Sequence, residues 1–206
     1  MTLLSGHDAA PRISGQVCAM LAVDIAESTR ADRDDELIQH LRSSVYGIMR
    51  EALGMCGMPW DSHCHSEDRG DGFAVIFPPD LAAQPIVDWL PDRLGGLIRR
   101  HNRYSIESAR MQLRMSAHIG PVYCDERGFS GDDVTFLCRM LDAQPLRQAL
   151  AQSRAELALI VSDYVHDKLV RQRRSLVDLK SFRRVRTQVK RAPVHGWIYL
   201  PDGLRS

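Results

Sequence analysis

Three charged side chains stand in surroundings that suggest chemistry. Asp24 ends an almost unbroken apolar run at residues 17–23. Asp71 sits in Gly70-Asp71-Gly72, between strand-like runs at 60–65 and 73–77. Arg139 lies on a helical segment opened by Gly131-Asp132-Asp133-Val134. If the strands carrying Asp24 and Asp71 are neighbours, their carboxylates can converge. Mg²⁺ and Mn²⁺ take hard oxygen ligands and keep positions for water or substrate phosphates. Two aspartates, a backbone carbonyl and a substrate phosphate would meet that demand, and a metal so held stabilises a leaving group and helps ionise an attacking hydroxyl. Each residue also has a plain reading. Gly-Asp-Gly is turn chemistry. Asp24 can be a solvated strand end, and Arg139 a surface partner of Asp132 or Asp142.

The elements that would position them follow from periodicity. The run at 17–23 reads as a central strand buried on both faces. After Glu27-Ser28-Thr29, Leu37, Ile38, Leu41, Val45, Ile48, Met49, Ala52 and Leu53 recur at helical spacing. Gly54, Gly57 and Pro59 stop that helix. A hairpin then presents Asp71 near its tip and closes at Pro78-Pro79. A second amphipathic helix is predicted over 86–104, delayed or broken at Pro91. Residues 111–122 alternate Leu113, Met115, Ala117 and Ile119 with Gln112, Arg114, Ser116 and His118, which predicts a strand with one buried and one polar side. A helix over 132–142, a short helix over 146–151, a strand at 158–161, a helix N-capped by Ser162 and a final strand pair at 182–189 and 195–200 complete the chain. Residues 1–15 read as a flexible leader and 16–206 as a single domain. The order predicts an α/β sandwich, a mixed sheet with helices mainly on one face.

With 206 residues, 44% hydrophobic and 26% charged, the chain has the composition of one globular domain. A net charge of +1 excludes neither nucleotide nor protein partners. The five cysteines form no Cys-x-x-Cys pair and read as reduced thiols. Residues 1–13 lack the apolar core of a signal peptide, and no run approaches the ~20 apolar residues of a membrane span. The expectation is a cytoplasmic protein without a membrane segment.

Four short stretches resemble the catalytic domain of class III adenylate and guanylate cyclases. Leu21-Ala22-Val23-Asp24-Ile25-Ala26-Glu27-Ser28-Thr29 resembles the family's first strand and metal-binding aspartate. Glu67-Asp68-Arg69-Gly70-Asp71-Gly72-Phe73 resembles the hairpin with the second metal aspartate. His118-Ile119-Gly120 resembles the His-x-Gly strand end, and Gly131-Asp132-Asp133-Val134-Thr135-Phe136-Leu137-Cys138-Arg139 resembles the Gly-x-x-Val-Asn-x-x-x-Arg element. The matches keep the family's order and cover residues 17–142.

The resemblance implies a ferredoxin-like mixed sheet, the cyclase homology domain, and a nucleoside triphosphate as substrate. It implies two Mg²⁺ or Mn²⁺ ions held by Asp24, Asp71 and the Ile25 carbonyl. It gives Arg139 the charge on the transferring phosphoryl group, a role its fork of donors suits. Thr135 occupies the position of the ribose-orienting asparagine and departs from it. Glu67 falls at the base-reading position where guanylate cyclases carry glutamate, and Gly128 at the second such position. Guanine and pyrimidines both stay open as the base. Lys190 matches a lysine of the late strands that reaches the triphosphate. The family's sites are shared between chains packed head to tail, which implies a homodimer. An alternative suits the Thr135 and Gly128 departures: a catalytically degenerate dimer that binds nucleotide or a partner protein as a regulatory module.

Two further features have competing readings. His63-Cys64-His65, with Cys56 upstream, invites zinc, but the spacing fits no four-ligand pattern. Residues 168–191 are rich in arginine and lysine, which suits a solvated face or a nucleic-acid surface. Phe182 is the single aromatic residue there, too few to interleave and stack on successive bases, which speaks against nucleic acid.

Overall fold

The computed structural model describes residues 14–58, 60, 64–126, 128–172 and 176–201. The apolar run becomes the middle of β1 (Ser14–Ile25), which starts inside the segment expected as leader. Its odd residues Ala19, Leu21, Val23 and Ile25 enter one core, and its even residues Cys18, Met20 and Ala22 enter another on the opposite sheet face. Burial on both faces is why the run does not alternate.

The larger core lies under α1 (Asp35–Met55), which carries Leu41, Val45, Met49, Ala52 and Leu53 into it. Asp34 caps that helix by accepting from the Leu37 N–H at 2.8 Å. Gly57 (φ +70°), just past the helix end, takes the left-handed conformation that stops it. The helix expected over 86–104 is broken in two. A single turn, α2 (Pro85–Asp88), precedes α3 (Leu90–Arg103), and Pro91 occupies the first turn of α3, where its missing N–H costs nothing. α3 adds Leu94, Leu97 and Ile98 to the same core.

β2 (His65–Asp68) and β3 (Gly72–Ile76) form the hairpin. Its first strand lies later than the expected 60–65. Trp60 packs its ring against Tyr46 and Phe73 instead of pairing in a ladder, and residues 61–63 lie outside those described. β4 (Leu113–Asp125) pairs with β1 along most of its length and with β5 (Gly128–Ser130) at its end. α4 (Asp132–Leu141) and α5 (Gln144–Ala151) cover the second sheet face, so a smaller helical layer balances the α1/α3 layer. β6 (Leu157–Ser162) leads into α6 (Asp163–Val165), capped by Ser162, and a π-helical turn (His166–Val170). β7 (Arg183–Val189) and β8 (Ala192–Tyr199) close the chain.

The strand order is β2-β3-β1-β4-β6-β8-β7, with β5 attached to β4. Among the described residues, β4 and β6 are the one parallel pair. β7 is an edge strand, and Arg183, Arg184 and Arg186 on it are exposed. Charge on an edge hinders pairing with other chains, which accounts for part of the basic segment; Arg173 and Arg174 lie outside the described residues. No helix among the described residues is long and apolar enough to cross a membrane.

Candidate functional site

The two aspartates meet because β1 and β3 are antiparallel neighbours. Asp24 stands opposite Gly72, and the Ile25 N–H donates to the Asp71 carbonyl at 3.1 Å. Asp71 follows as the last residue of the turn, Ile25 lines the same cavity, and Ile25's carbonyl shares the strand edge its N–H uses. The cavity measures about 390 Å³ and is walled by Ser28, Thr29, Asp71, Gln112, Arg114 and Arg147 among others. Ser28 donates its hydroxyl to Asp71 Oδ2 at 2.7 Å.

Arg114 belongs to no motif in the sequence. It lies directly opposite Asp24 on β4. Its Nε donates to Asp24 Oδ1 at 2.8 Å and its Nη2 to Oδ2 at 2.7 Å. Both side chains are 12% exposed. Burial first, and the charge of Asp71 to a lesser extent, push the Asp24 carboxyl up to about 6 even though Arg114 pulls it down. No sequence pattern marks this pair, since only strand register brings residues 24 and 114 together.

The loop after Asp24 is held by a second unforeseen arginine. Arg33, 8% exposed, donates to the carbonyls of Glu27 at 3.0 Å, Ser108 at 3.0 Å and Arg110 at 2.7 Å. Glu27 takes a positive φ of 52° within this loop. The clamp fixes the turn that carries Ser28 to Asp71.

The His-x-Gly element has a structural explanation. Ser116 and His118 were expected on a polar sheet side, yet both are buried beneath α4. Ser116 donates to the Leu137 carbonyl at 2.9 Å. His118 bonds Asp133 through Nε2 at 2.7 Å and Ser162 through Nδ1 at 2.8 Å. An Nε2–H tautomer serves both, with the Ser162 hydroxyl donating to Nδ1. A Cβ on Gly120 would come within 2.5 Å of Asp133 Cγ, so glycine makes room for that carboxylate. His118 and Gly120 therefore seat the first turn of α4, the helix of Thr135 and Arg139.

Neither Thr135 nor Arg139 lines the cavity bordered by Asp71 and Arg114. Thr135 is exposed and bonds back to the Gly131 carbonyl at 3.0 Å. Arg139 is half-buried in the last turn of α4. The neighbouring Cys138 thiol is pushed up by burial and lies close enough to Arg69, Asp142 and Glu67 to feel their charges.

Glu67 and Gly128 do come together. A Cβ on Gly128 would stand 2.7 Å from Glu67 Oε1, so the carboxylate occupies the space a side chain at 128 would need. Arg69 donates to the other Glu67 oxygen at 2.9 Å. Lys190 is exposed at the tip of the β7–β8 hairpin, where it and Arg191 have φ of 49° and 67°, as a tight two-residue turn requires. That tip projects beyond the Ser162 end of β6, whereas Asp24 and Arg114 align with Ala158 near the strand's start. Lys190 and the two aspartates thus lie at opposite ends of one chain's sheet. The zinc reading of residues 63–65 finds no support from His65, whose Nδ1 lies 3.4 Å from Cys124 Sγ; His63 is outside the described residues. No group of three or more His, Cys, Asp or Glu among the described residues is arranged to hold a metal.

No family model matches the sequence, and no curated protein matches it. Solved structures do match. An adenylate/guanylate cyclase/hydrolase from Silicibacter pomeroyi superimposes with a TM-score of 0.63 at 21% identity, over 91% of this chain and 98% of that one. The guanylyl cyclase Cya2 gives 0.63 at 15% identity, over 94% and 98%. The adenylyl cyclase CyaB from P. aeruginosa gives 0.57 at 14% identity, over 90% and 93%. At these identities the likeness establishes the fold: across most of its length the chain has the architecture of adenylate and guanylate cyclase catalytic domains.

Proposed function

We propose that this chain is a metal-dependent nucleotidyl cyclase, converting a nucleoside triphosphate to a 3′,5′-cyclic monophosphate and pyrophosphate. The observation that carries the reading is that Asp71 and Arg114 line one cavity, while Asp24 is paired with Arg114 and close enough to Asp71 to feel its charge. The donors fit a hard cation. Two carboxylates and the Ile25 carbonyl offer oxygen only, and since no group of three or more acidic, His or Cys side chains among the described residues is arranged to hold a metal, substrate phosphates and water would fill the remaining positions. When bound, Mg²⁺ or Mn²⁺ supplies charge for the leaving pyrophosphate and makes the ribose 3′-hydroxyl easier to ionise.

The chain's own residues do the rest. Ser28 orients Asp71. Arg114 and Arg147 line the cavity as phosphate-binding cations. The ribose 3′-oxygen attacks the α-phosphorus, the bond from that phosphorus to the bridging oxygen breaks to release pyrophosphate, and the hydroxyl proton passes to water. Arg139 stabilises the charge on the transferring phosphoryl group, Thr135 offers a hydroxyl to the ribose, and Lys190 holds the polyphosphate. Glu67, standing over Gly128, reads the base; guanine or a pyrimidine suits an acceptor there. Within one chain Thr135 and Arg139 do not line the cavity that Asp71 borders, and Lys190 lies at the other end of the sheet. A head-to-tail homodimer brings one copy's aspartates to the other's Arg139, Thr135 and Lys190. Cys18, Cys56, Cys124 and Cys138 form no disulfide, which suits a reducing compartment such as the cytoplasm.

A second reading has its own observation. Thr135 spends its hydroxyl on its own helix, and Asp24 is already paired with Arg114. Both suit a degenerate module that binds nucleotide as a regulatory dimer. Incubating the protein with each of the four NTPs and Mn²⁺ separates the two. The cyclase reading expects a cyclic product from at least one. Binding without product, at concentrations that sustain a dimer, favours the degenerate module.

A further inference from the structure

We infer that Arg114 is a latch on the metal-binding carboxylate: without nucleotide it holds Asp24, and a polyphosphate must draw it away before Asp24 can accept a divalent ion. The inference rests on the reading of Asp24 as a metal ligand and goes beyond it, because it sets an order of events and a coupling between two ligands.

The geometry argues for exclusion. Both oxygens of Asp24 accept from one guanidinium, at 2.8 and 2.7 Å, and both side chains are 12% exposed. Bidentate arginine–carboxylate pairs are the strong kind. A dication on Asp24 would sit a few ångströms from a permanent positive charge, with little water between to screen it. Asp24 therefore cannot serve both partners well. Arg114 is able to yield. Its backbone is fixed in β4, but its side chain has several rotatable bonds and borders the 390 Å³ cavity. The hydroxyls of Ser28 and Thr29 and the side chain of Arg147 border the same space. A polyphosphate there carries several negative charges against the single charge of Asp24, and a guanidinium fork fits phosphate as well as carboxylate. Moving the fork from Asp24 to phosphate frees the carboxylate and removes the repelling charge from it. Metal and polyphosphate then bind with positive coupling, and the coupling passes through one side chain.

The test uses the full chain and reads binding. In phosphate-free buffer, Mn²⁺ affinity is measured by electron paramagnetic resonance for the wild type and for Arg114→Gln, which keeps a hydrogen bond to Asp24 but drops the charge. The latch predicts Mn²⁺ binding about tenfold tighter in the variant, within the usual range of coupling between sites. Adding Asp24→Asn should abolish the gain. In EDTA, tripolyphosphate should raise the thermal unfolding temperature of the wild type more than that of Arg114→Gln. The variant thus moves the two affinities in opposite directions, whereas a merely structural arginine would weaken both on removal. Arg114→Met, which keeps the apolar stem, repeats the measurement if the glutamine variant does not fold. Unchanged or weaker Mn²⁺ binding in the variant overturns the latch, as does a gain that survives Asp24→Asn. If the Mn²⁺ shift appears and no NTP is cyclised, the latch stands and the cyclase reading falls. If an NTP is cyclised and no Mn²⁺ shift appears, the latch falls and the cyclase reading stands.

Discussion

Gly72 stands directly opposite Asp24 across the β1–β3 ladder, and a Cβ on it would overlap the Val23 carbonyl oxygen. The obstacle is backbone, so no rotamer change relieves it. Gly72→Ala must part the two strands that bring Asp24 and Asp71 together. The expected cost is about 3 kcal/mol or more, the upper range for overpacking. Urea denaturation of the variant measures it, and Mn²⁺ binding should be lost along with the stability.

Gly128 and Glu67 separate strain from recognition. Gly128 has φ of +124°, and a side chain there also displaces the Glu67 carboxylate. Gly128→Ala is expected to lose about 1–3 kcal/mol through backbone strain and to alter the preference among NTPs. Glu67→Ala should alter the preference while changing stability by no more than about 0.5 kcal/mol, as for most substitutions outside the core. Competition assays with paired NTPs, together with denaturation curves, check both. A nucleotide preference indifferent to residue 67 would remove Glu67 from base reading.

Arg139 tests whether the site is shared. Asp71→Asn and Arg139→Ala should each be inactive alone. In an equimolar mixture with free exchange, half the dimers are mixed, and each mixed dimer carries one complete site of two. Activity should return to about a quarter of wild type. A mixture as inactive as its components would place both residues in one chain's site.

His166 makes acid stability testable away from the site. Its ring is 2% exposed and stacks on Trp197 at 3.6 Å, and neither ring nitrogen has a hydrogen-bond partner. Burial pushes its pKa below the usual histidine value, with Asp167 opposing. Below the unfolded pKa of about 6.5 the unfolded chain takes up a proton that the folded chain resists. The His166 contribution is therefore intact above that pH and is lost as pH falls toward the folded pKa. His166→Phe, which keeps an aromatic ring against Trp197, should show a shallower loss of stability between pH 7 and pH 5, measured by denaturant titration. An identical slope would contradict it.

Much of the sheet was legible because burial leaves a mark on composition. β1 reads as central since both its faces are packed, and α1 reads cleanly because one stripe enters the core. The misreadings share a cause: a polar residue looks the same in sequence whether water or protein satisfies it. Ser116 and His118 seemed solvent-facing, yet Leu137, Asp133 and Ser162 take up their hydrogen bonds. The strand expected from Trp60 onward is absent at Trp60 because an aromatic residue also suits a cluster, here with Tyr46 and Phe73. Asp24 and Asp71 could be picked out by their turn and strand-end settings. Arg114 and Arg33 could not, since their partners lie 90 and as many as 77 residues away and depend on register and loop path.

In the proposed reaction Asp24 and Asp71 grip a divalent ion for intramolecular attack on a nucleoside triphosphate. The most direct test follows an α-³²P-labelled NTP with Mn²⁺, comparing wild type with Asp71→Asn after both are shown to be folded. The account predicts 3′,5′-cyclic monophosphate and pyrophosphate in equal amounts from the wild type and neither from the variant. Nucleoside diphosphate and phosphate in place of the cyclic product, or equal turnover by the variant, would contradict it.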